Sequence, residues 1–349
     1  MVGASGARPN RGVRPDAPTI ETIVPATFYE IINFYFEICN LHFRVFSMMT
    51  GKNASNFKSG FIALIGRPNA GKSTLLNRLL GQKLAIISNR PQTTRNRLLG
   101  IKNLPEGQII FLDTPGIHQS KSRLNQVMVK TALATYHEVD AVCFLIEADH
   151  PDNPENDFVL ETLKEVGKPV FLLINKIDLV AKGGLLPIME RFFRRRPFTQ
   201  IIPISALKGD GVDLLVREFL EVLPEGPRLF PEDMITDLSE RFLAAELIRE
   251  KIFRLTREEI PYATAVEVEE FKEREGKNLI AIQATIQVER ESQKRVLIGK
   301  KGQMLKEIGR LAREDMEVLL GAKVFLELWV KVEKNWREDP RALRRLGFQ

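Results

Sequence analysis

The sequence predicts two consecutive units: an α/β domain, a mostly parallel sheet with helices on both faces, followed by a smaller α+β domain. Three observations carry this. From Ser59 onward, short continuous apolar runs alternate with amphipathic helical stretches, the pattern of strands buried on both faces by crossover helices. A glycine-rich loop, Gly66-Arg67-Pro68-Asn69-Ala70-Gly71-Lys72-Ser73, joins the first run to a helical stretch. After Leu223-Pro224-Glu225-Gly226-Pro227 the pattern changes to alternating strands and helices of a different order. A chain of 349 residues has room for both units, and 44% hydrophobic with 28% charged residues excludes collagen-like, disulfide-rich and disordered classes. Two cysteines, Cys39 and Cys143, cannot build a disulfide framework or a zinc site, so a reducing, cytoplasmic setting is expected.

Residues 1–57 differ from the rest. They begin rich in Gly, Pro, Ala and Arg, then place seven aromatics between Phe28 and Phe46. Glu30, Asn33, Glu37, Asn40, His42 and Arg44 interrupt that stretch, so it reads neither as a membrane span nor as a secretory signal. The Arg-bearing start faintly resembles an organellar transit peptide. With Met48 and Met49 just ahead of the folded part, the favoured expectation is a disordered extension or one upstream of the true start.

Phe61–Ile65, Ile109–Leu112, Ala141–Ile146, Val170–Ile174 and Ile201–Ile204 are the expected buried strands, and polar motifs sit at their carboxyl ends, where ligands bind in such sheets. Between the first strand and its helix, backbone N–H groups of Gly66–Ser73 and the helix dipole suit a polyphosphate. Lys72 can reach the β- and γ-phosphates, Ser73 can offer its hydroxyl to Mg²⁺, and Thr74 follows it. Asp113-Thr114-Pro115-Gly116 follows the second strand, with Asp113 expected on Mg²⁺ and the Gly116 N–H on the γ-phosphate. Pro91-Gln92-Thr93-Thr94-Arg95 is a polar segment suited to closing over Mg²⁺, Thr94 being the chosen ligand and Thr93 the alternative. Lys72, Thr94 and Gly116 are thus the candidate catalytic groups. Ile117 stands where many GTPases carry a water-orienting glutamine, which implies slow intrinsic hydrolysis.

Asn175-Lys176-Ile177-Asp178 selects the base. An ionised Asp178 accepts from guanine N1–H and N2, donors that adenine lacks, and a buried acceptor left unpaired rejects the wrong base. Asn175 is expected to tie this motif to the phosphate loop, and the Lys176 stem to cover one ring face. Ser205-Ala206-Leu207 follows the last strand, where a backbone N–H would meet guanine O6.

In the second unit, residues 238–257 read as an amphipathic helix, 263–269 and 279–288 as strands, 302–313 as a helix and 324–332 as a strand. The order helix, strand, strand, helix, helix, strand is that of a type II KH fold. Val296-Leu297-Ile298-Gly299-Lys300-Lys301-Gly302 supports it: two glycines let the backbone approach a single-stranded nucleic acid, and the lysines face its phosphates. Lys294, Arg295, Ile298 and Lys306 join Gly299–Gly302 as candidate RNA contacts, with Arg310 and Arg313 nearby. The net charge of +6 is concentrated here, with eight basic residues against two acidic ones over 290–313. Trp329 is expected in the core rather than as a stacking platform. The expected boundaries are 1–57 extension, 58–226 GTPase domain, 227–256 linker and first helix, and 257–349 KH domain with tail.

The set Gly66–Ser73, Thr93-Thr94, Asp113–Gly116, Asn175–Asp178 and Ser205-Ala206 resembles the TrmE–Era–EngA–Septin branch of translation-factor GTPases. Phe230–Asp237 and Phe325–Val332 with Asn335-Trp336 are similar to its Era-like members. The resemblance covers about residues 58–349. It implies a monomeric GTP/GDP switch that uses Mg²⁺ and binds the 3′ end of small-subunit ribosomal RNA during small ribosomal subunit assembly. It also implies peripheral association with the bacterial inner membrane and potassium held partly by Asn69. Three rivals stand beside it. A tRNA-modification GTPase would need a reactive cysteine after Cys143, and none exists. A P-loop ATPase or small-molecule kinase would lack the guanine-reading motif. An RNA-binding module with a vestigial nucleotide site would not keep every phosphate and base contact.

Overall fold

A computed structural model describes residues 57–88, 90, 93–117, 124, 129, 139–274 and 278–346. Residues 1–56 of the extension with its candidate start methionines, together with Pro91 and Gln92, lie outside the described residues. A six-stranded sheet forms the first domain in the order β2-β3-β1-β4-β5-β6. Its strands are β1 (Lys58–Gly66), β2 (Leu98–Leu104), β3 (Gly107–Asp113), β4 (Ala141–Glu147), β5 (Val170–Asn175) and β6 (Gln200–Pro203). All neighbours pair in parallel except β2, which runs antiparallel to β3 on the edge. The five expected runs became β1 and β3–β6. β2 was not anticipated, because Gly100, Lys102 and Asn103 dilute the apolar pattern of Leu98–Leu104.

Burial of β3, β4 and β5 on both faces needs two layers, and two apolar clusters supply them. One packs Ile62, Leu64, Phe111 and Phe171 against α1 (Lys72–Leu80) and α4 (Val212–Val222). The other packs Ile65, Ile110, Phe144 and Ile174 against α2 (Pro154–Leu163) and α3 (Leu185–Arg195). Every strand end that carries a motif therefore opens on the same edge of a rigid slab.

The second domain has the expected order: α5 (Glu240–Leu255), β7 (Ala265–Glu273), β8 (Leu279–Val288), α6 (Glu291–Ile298), α7 (Gln303–Leu320) and β9 (Lys323–Val332), with α8 (Pro340–Arg345) behind. β8 lies between β7, antiparallel, and β9, parallel. Ala244, Leu247, Ile248 and Ile252 of α5 pack with Ile282, Ile286, Ile308 and Met316, so the helix grouped with the linker on sequence joins the second core. Trp329 departs from expectation. On β9 the alternation turns Val324 and Val330 inward and leaves Phe325 and Trp329 outside, Trp329 at 59% exposure beside charged Lys331. Trp336 is the buried tryptophan, its indole N–H donating to the Ala263 carbonyl at 3.0 Å.

The linker is stitched to the first domain. The Ile101 N–H donates to the Ile235 carbonyl at 2.7 Å, and Thr236 Oγ1 donates to the Leu99 carbonyl at 2.6 Å. Gln108 closes the run by accepting from the Leu229 and Phe230 N–H groups at 2.8 and 2.9 Å.

Candidate functional site

The phosphate loop requires its glycines. Gly71 has φ 95°, and a Cβ there would collide with the Asn175 side-chain amide. Gly116 lies so close to the loop that a Cβ would stand 2.7 Å from the Pro68 nitrogen, bringing the Asp113–Gly116 turn against the phosphate loop. Asn69 holds a left-handed turn at φ 66°. Lys72, buried at the start of α1, donates to the Gly66 and Arg67 carbonyls at 3.1 and 3.0 Å. Burial lowers its ammonium to about 8, partly offset by the Asp113 carboxylate.

Three side-chain oxygens meet next to it. Ser73 Oγ donates to Asp113 Oδ2 at 2.7 Å and lies 2.8 Å from Thr94 Oγ1. Asp113 is fully buried, and burial raises its carboxyl to about 6 against the opposing effect of Lys72. Its Oδ1 is buried without a hydrogen-bond partner. An orphaned carboxylate oxygen beside two hydroxyls fits a small hard cation, which takes oxygen donors. Ile117 is fully buried in the sheet core, and its N–H donates to the Gly66 carbonyl at 3.1 Å.

At the base end, Asn175 ties three segments together. Its Nδ2 donates to the Ala70 carbonyl at 2.8 Å, and its Oδ1 accepts from the Ala206 N–H at 2.9 Å. Ser205 Oγ donates to Asp178 Oδ1 at 2.6 Å and accepts from the Lys208 N–H at 3.1 Å, which orients the carboxylate. Lys176, at φ 65°, pairs with Glu147 at 2.9 Å. Leu207 is exposed beside this group, and Arg78 of α1 donates to the Ala206 carbonyl at 3.2 Å and to that of Leu207.

In the second domain α6 ends at Ile298 and turns through Gly299 (φ 71°), Lys301 (φ 51°) and Gly302 (φ 78°) into α7. A Cβ on Gly299 would stand 2.7 Å from the Met304 Cβ, so the loop closes tightly. Arg295, Lys300, Lys301 and Lys306 are exposed, and Lys294 is half-buried. Arg310 pairs with Glu307 and Glu314, and Arg313 with Glu317, which narrows the unbalanced charge to the loop and its flanks.

A family described as 50S ribosome-binding GTPase matches residues 61–176, and the KH domain family matches 259–337. GTPase Era of Geobacter metallireducens is 57% identical over 292 residues, covering 84% of this chain and 98% of the relative. GTPase Era of Syntrophus aciditrophicus is 56% identical, covering 84% and 95%. The chain belongs to the Era family of GTPases. A crystal structure of Era in complex with MgGDPNP and nucleotides 1506–1542 of 16S ribosomal RNA matches with TM-score 0.82 and 48% identity, covering 84% of this chain and 99% of that one. Aquifex aeolicus Era Y63A bound to GDP.AlF4⁻ matches equally well.

Four polar side chains of this Era-family chain were missed on sequence. Arg95 donates to the carbonyls of Thr264 at 2.7 Å and of Pro261 and Tyr262 at 3.0 Å, carrying the Thr94 segment into the KH domain. Arg249 of α5 donates to the Thr93 carbonyl from the other side. Glu147 and Arg78 brace the nucleotide motifs from below. All act on partners far away in sequence, and their only signal was a lone charged residue with no distinctive spacing.

Proposed function

We propose that this chain is a GTP-hydrolysing switch that binds the 3′ end of small-subunit ribosomal RNA and assists small ribosomal subunit assembly. The observation that carries it is the Thr93–Arg95 segment: one residue stands in the oxygen cluster of the nucleotide site, and the next is hydrogen-bonded to three carbonyls of the KH domain. A change at the phosphate end therefore reaches the RNA-binding unit through one short stretch of chain. The likeness to an Era bound to MgGDPNP and 16S ribosomal RNA supports the choice of ligands.

The nucleotide is placed by the loop N–H groups, with Asp178 selecting guanine and Asn175 fixing the distance between phosphate and base ends. Lys72 and the Gly116 N–H stabilise charge that develops on the γ-phosphoryl oxygens during hydrolysis. Ser73, Thr94 and Asp113 would hold Mg²⁺, which supplies electrostatic stabilisation of the phosphates when bound. Ile117, an alkyl side chain directed into the core, cannot orient the attacking water, so unstimulated turnover is slow. Asn69, in its left-handed turn, would contribute to a potassium site, and replacing potassium by sodium should lower the rate.

Gly299–Gly302 grips the RNA backbone, with Lys300, Lys301, Arg295, Lys294 and Lys306 on the phosphates and Ile298 against a base. The protein acts in the cytoplasm as a monomer, with peripheral contact at the inner membrane; no helix among the described residues is long and apolar enough to cross one. The deciding experiment measures affinity for a short single strand copying that RNA 3′ end, with a non-hydrolysable GTP analogue and then with GDP. Tight binding favoured by the analogue and lost with a scrambled strand is expected; equal binding in both nucleotide states would refute the switch.

A further inference from the structure

We propose that Glu147 is a positioning residue for the guanine nucleotide, tying the phosphate loop to the base-reading motif and holding Lys176 across the purine face. This rests on the nucleotide site described above.

Glu147 ends β4 in register with Asn175 and is only 3% exposed. Its carboxylate meets two cations from two different motifs: Arg67 of the phosphate loop and, at 2.9 Å, Lys176 beside the base reader. The Ala148 N–H donates to the Asn175 carbonyl at 2.8 Å, so the residue after Glu147 is locked to the same motif. Glu147 is the carboxylate that these two cations share, and removing it would leave the largely buried Arg67 guanidinium and Lys176 without that partner, which is strongly unfavourable.

Lys176 has reason to need such a restraint. Its backbone is left-handed at φ 65°, a conformation that a non-glycine residue keeps only when its surroundings impose it. A lysine stem is also long and loses its orientation when its ammonium group is released. Asn175 sets the spacing of the two motifs through neutral hydrogen bonds. Glu147 adds a charged link that acts on the ring face rather than on the base edge. Because ground state and transition state hold the same guanine, the effect falls on affinity and release and not on the phosphoryl step.

The test is the release of fluorescently labelled GDP, chased with unlabelled nucleotide, from the full-length protein and its Glu147→Gln variant. Release about tenfold faster is expected, with KM raised and kcat changed far less, and with the preference for GDP over IDP kept, because Asp178 is untouched. Lys176→Met keeps an apolar stem and removes the ion pair; it should also speed release, and the double variant should be no faster than Glu147→Gln alone. Release at the wild-type rate from Glu147→Gln, or additive effects in the double variant, would overturn the proposal. Should Glu147→Gln fail to fold, Lys176→Met carries the test alone, and an unchanged release rate from it is equally fatal. Failure of the unaltered protein to bind GDP would instead sink the nucleotide reading itself.

Discussion

Asp178 accepts from Ser205 with one oxygen, so its direction is fixed before any base arrives. Asp178→Asn should weaken GTP and admit xanthosine triphosphate, whose C2 carbonyl accepts where the guanine N2 amino group donates; unchanged preference in a competition assay would remove the base-selection argument. Gly71 allows a second test. Gly71→Ala places a methyl against the Asn175 amide at a φ of 95°, so it should break the tie between phosphate loop and base motif. GDP affinity by titration calorimetry should fall by roughly 100-fold or more, about 3 kcal/mol. Cys143 is fully buried in β4, and burial pushes its thiol well up, so a thiol reagent should leave it unmodified until the chain unfolds. Lys72, Asp113, Asn175 and Asp178 could be read from sequence because each motif is contiguous and follows a recognisable strand. Glu147 could not: Arg67 lies 80 positions away, and a Glu ending an apolar run has no distinctive spacing.

Residues 93–97, just ahead of β2, have no helix or strand, and their position is set from outside. Arg95 is 4% exposed and Arg249 3%, both stacked near the Phe253 ring. Arg249→Ala removes the bond to the Thr93 carbonyl and should cost about 2 kcal/mol of stability in denaturant unfolding. The same variant should narrow the difference in RNA affinity between the two nucleotide states; an unchanged difference would assign the coupling elsewhere. At the other end of the KH domain, replacing Lys300 and Lys301 by Gln should weaken every single strand alike. It should also flatten the slope of log affinity against log salt by about 1.4, two phosphate contacts at about 0.7 each. Strands buried on both faces and the glycine loop were legible because their patterns are local. The edge strand β2 and the outward face of Trp329 were not, since alternation gives the parity of a strand but not which face the helices cover.

The domains also meet through charges. Lys83, just after α1, lies 2.6 Å from Glu250 and 2.7 Å from Asp315, and buried Lys251 reaches the same Asp315. Burial opposes ionisation of Asp315, but hydrogen bonds from Lys251 and Lys83 outweigh it and hold the carboxyl below its ordinary 3.8. Lys83 is desolvated too, and its bonds to Asp315 and Glu250 raise it above 10.5. A lowered acid contributes stability above its unfolded value and loses it as pH falls. A raised base contributes below its unfolded value and loses it as pH rises. The junction should therefore be strongest between about pH 4 and about pH 10, and Asp315→Asn should cost about 1–2 kcal/mol at pH 7, the half-exposed carboxylate counting for less than a buried one. Thermal melts across pH should show that cost vanish in acid. The seam between linker and sheet has a different implication. β2 is an outer strand whose Ile101 N–H and Leu99 carbonyl are covered by Ile235 and Thr236. A chain cut at Gly226 would bare that edge, and a bare β-edge recruits other copies; light scattering should find such a fragment self-associating, so the connector that joins two domains also keeps the first one from aggregating.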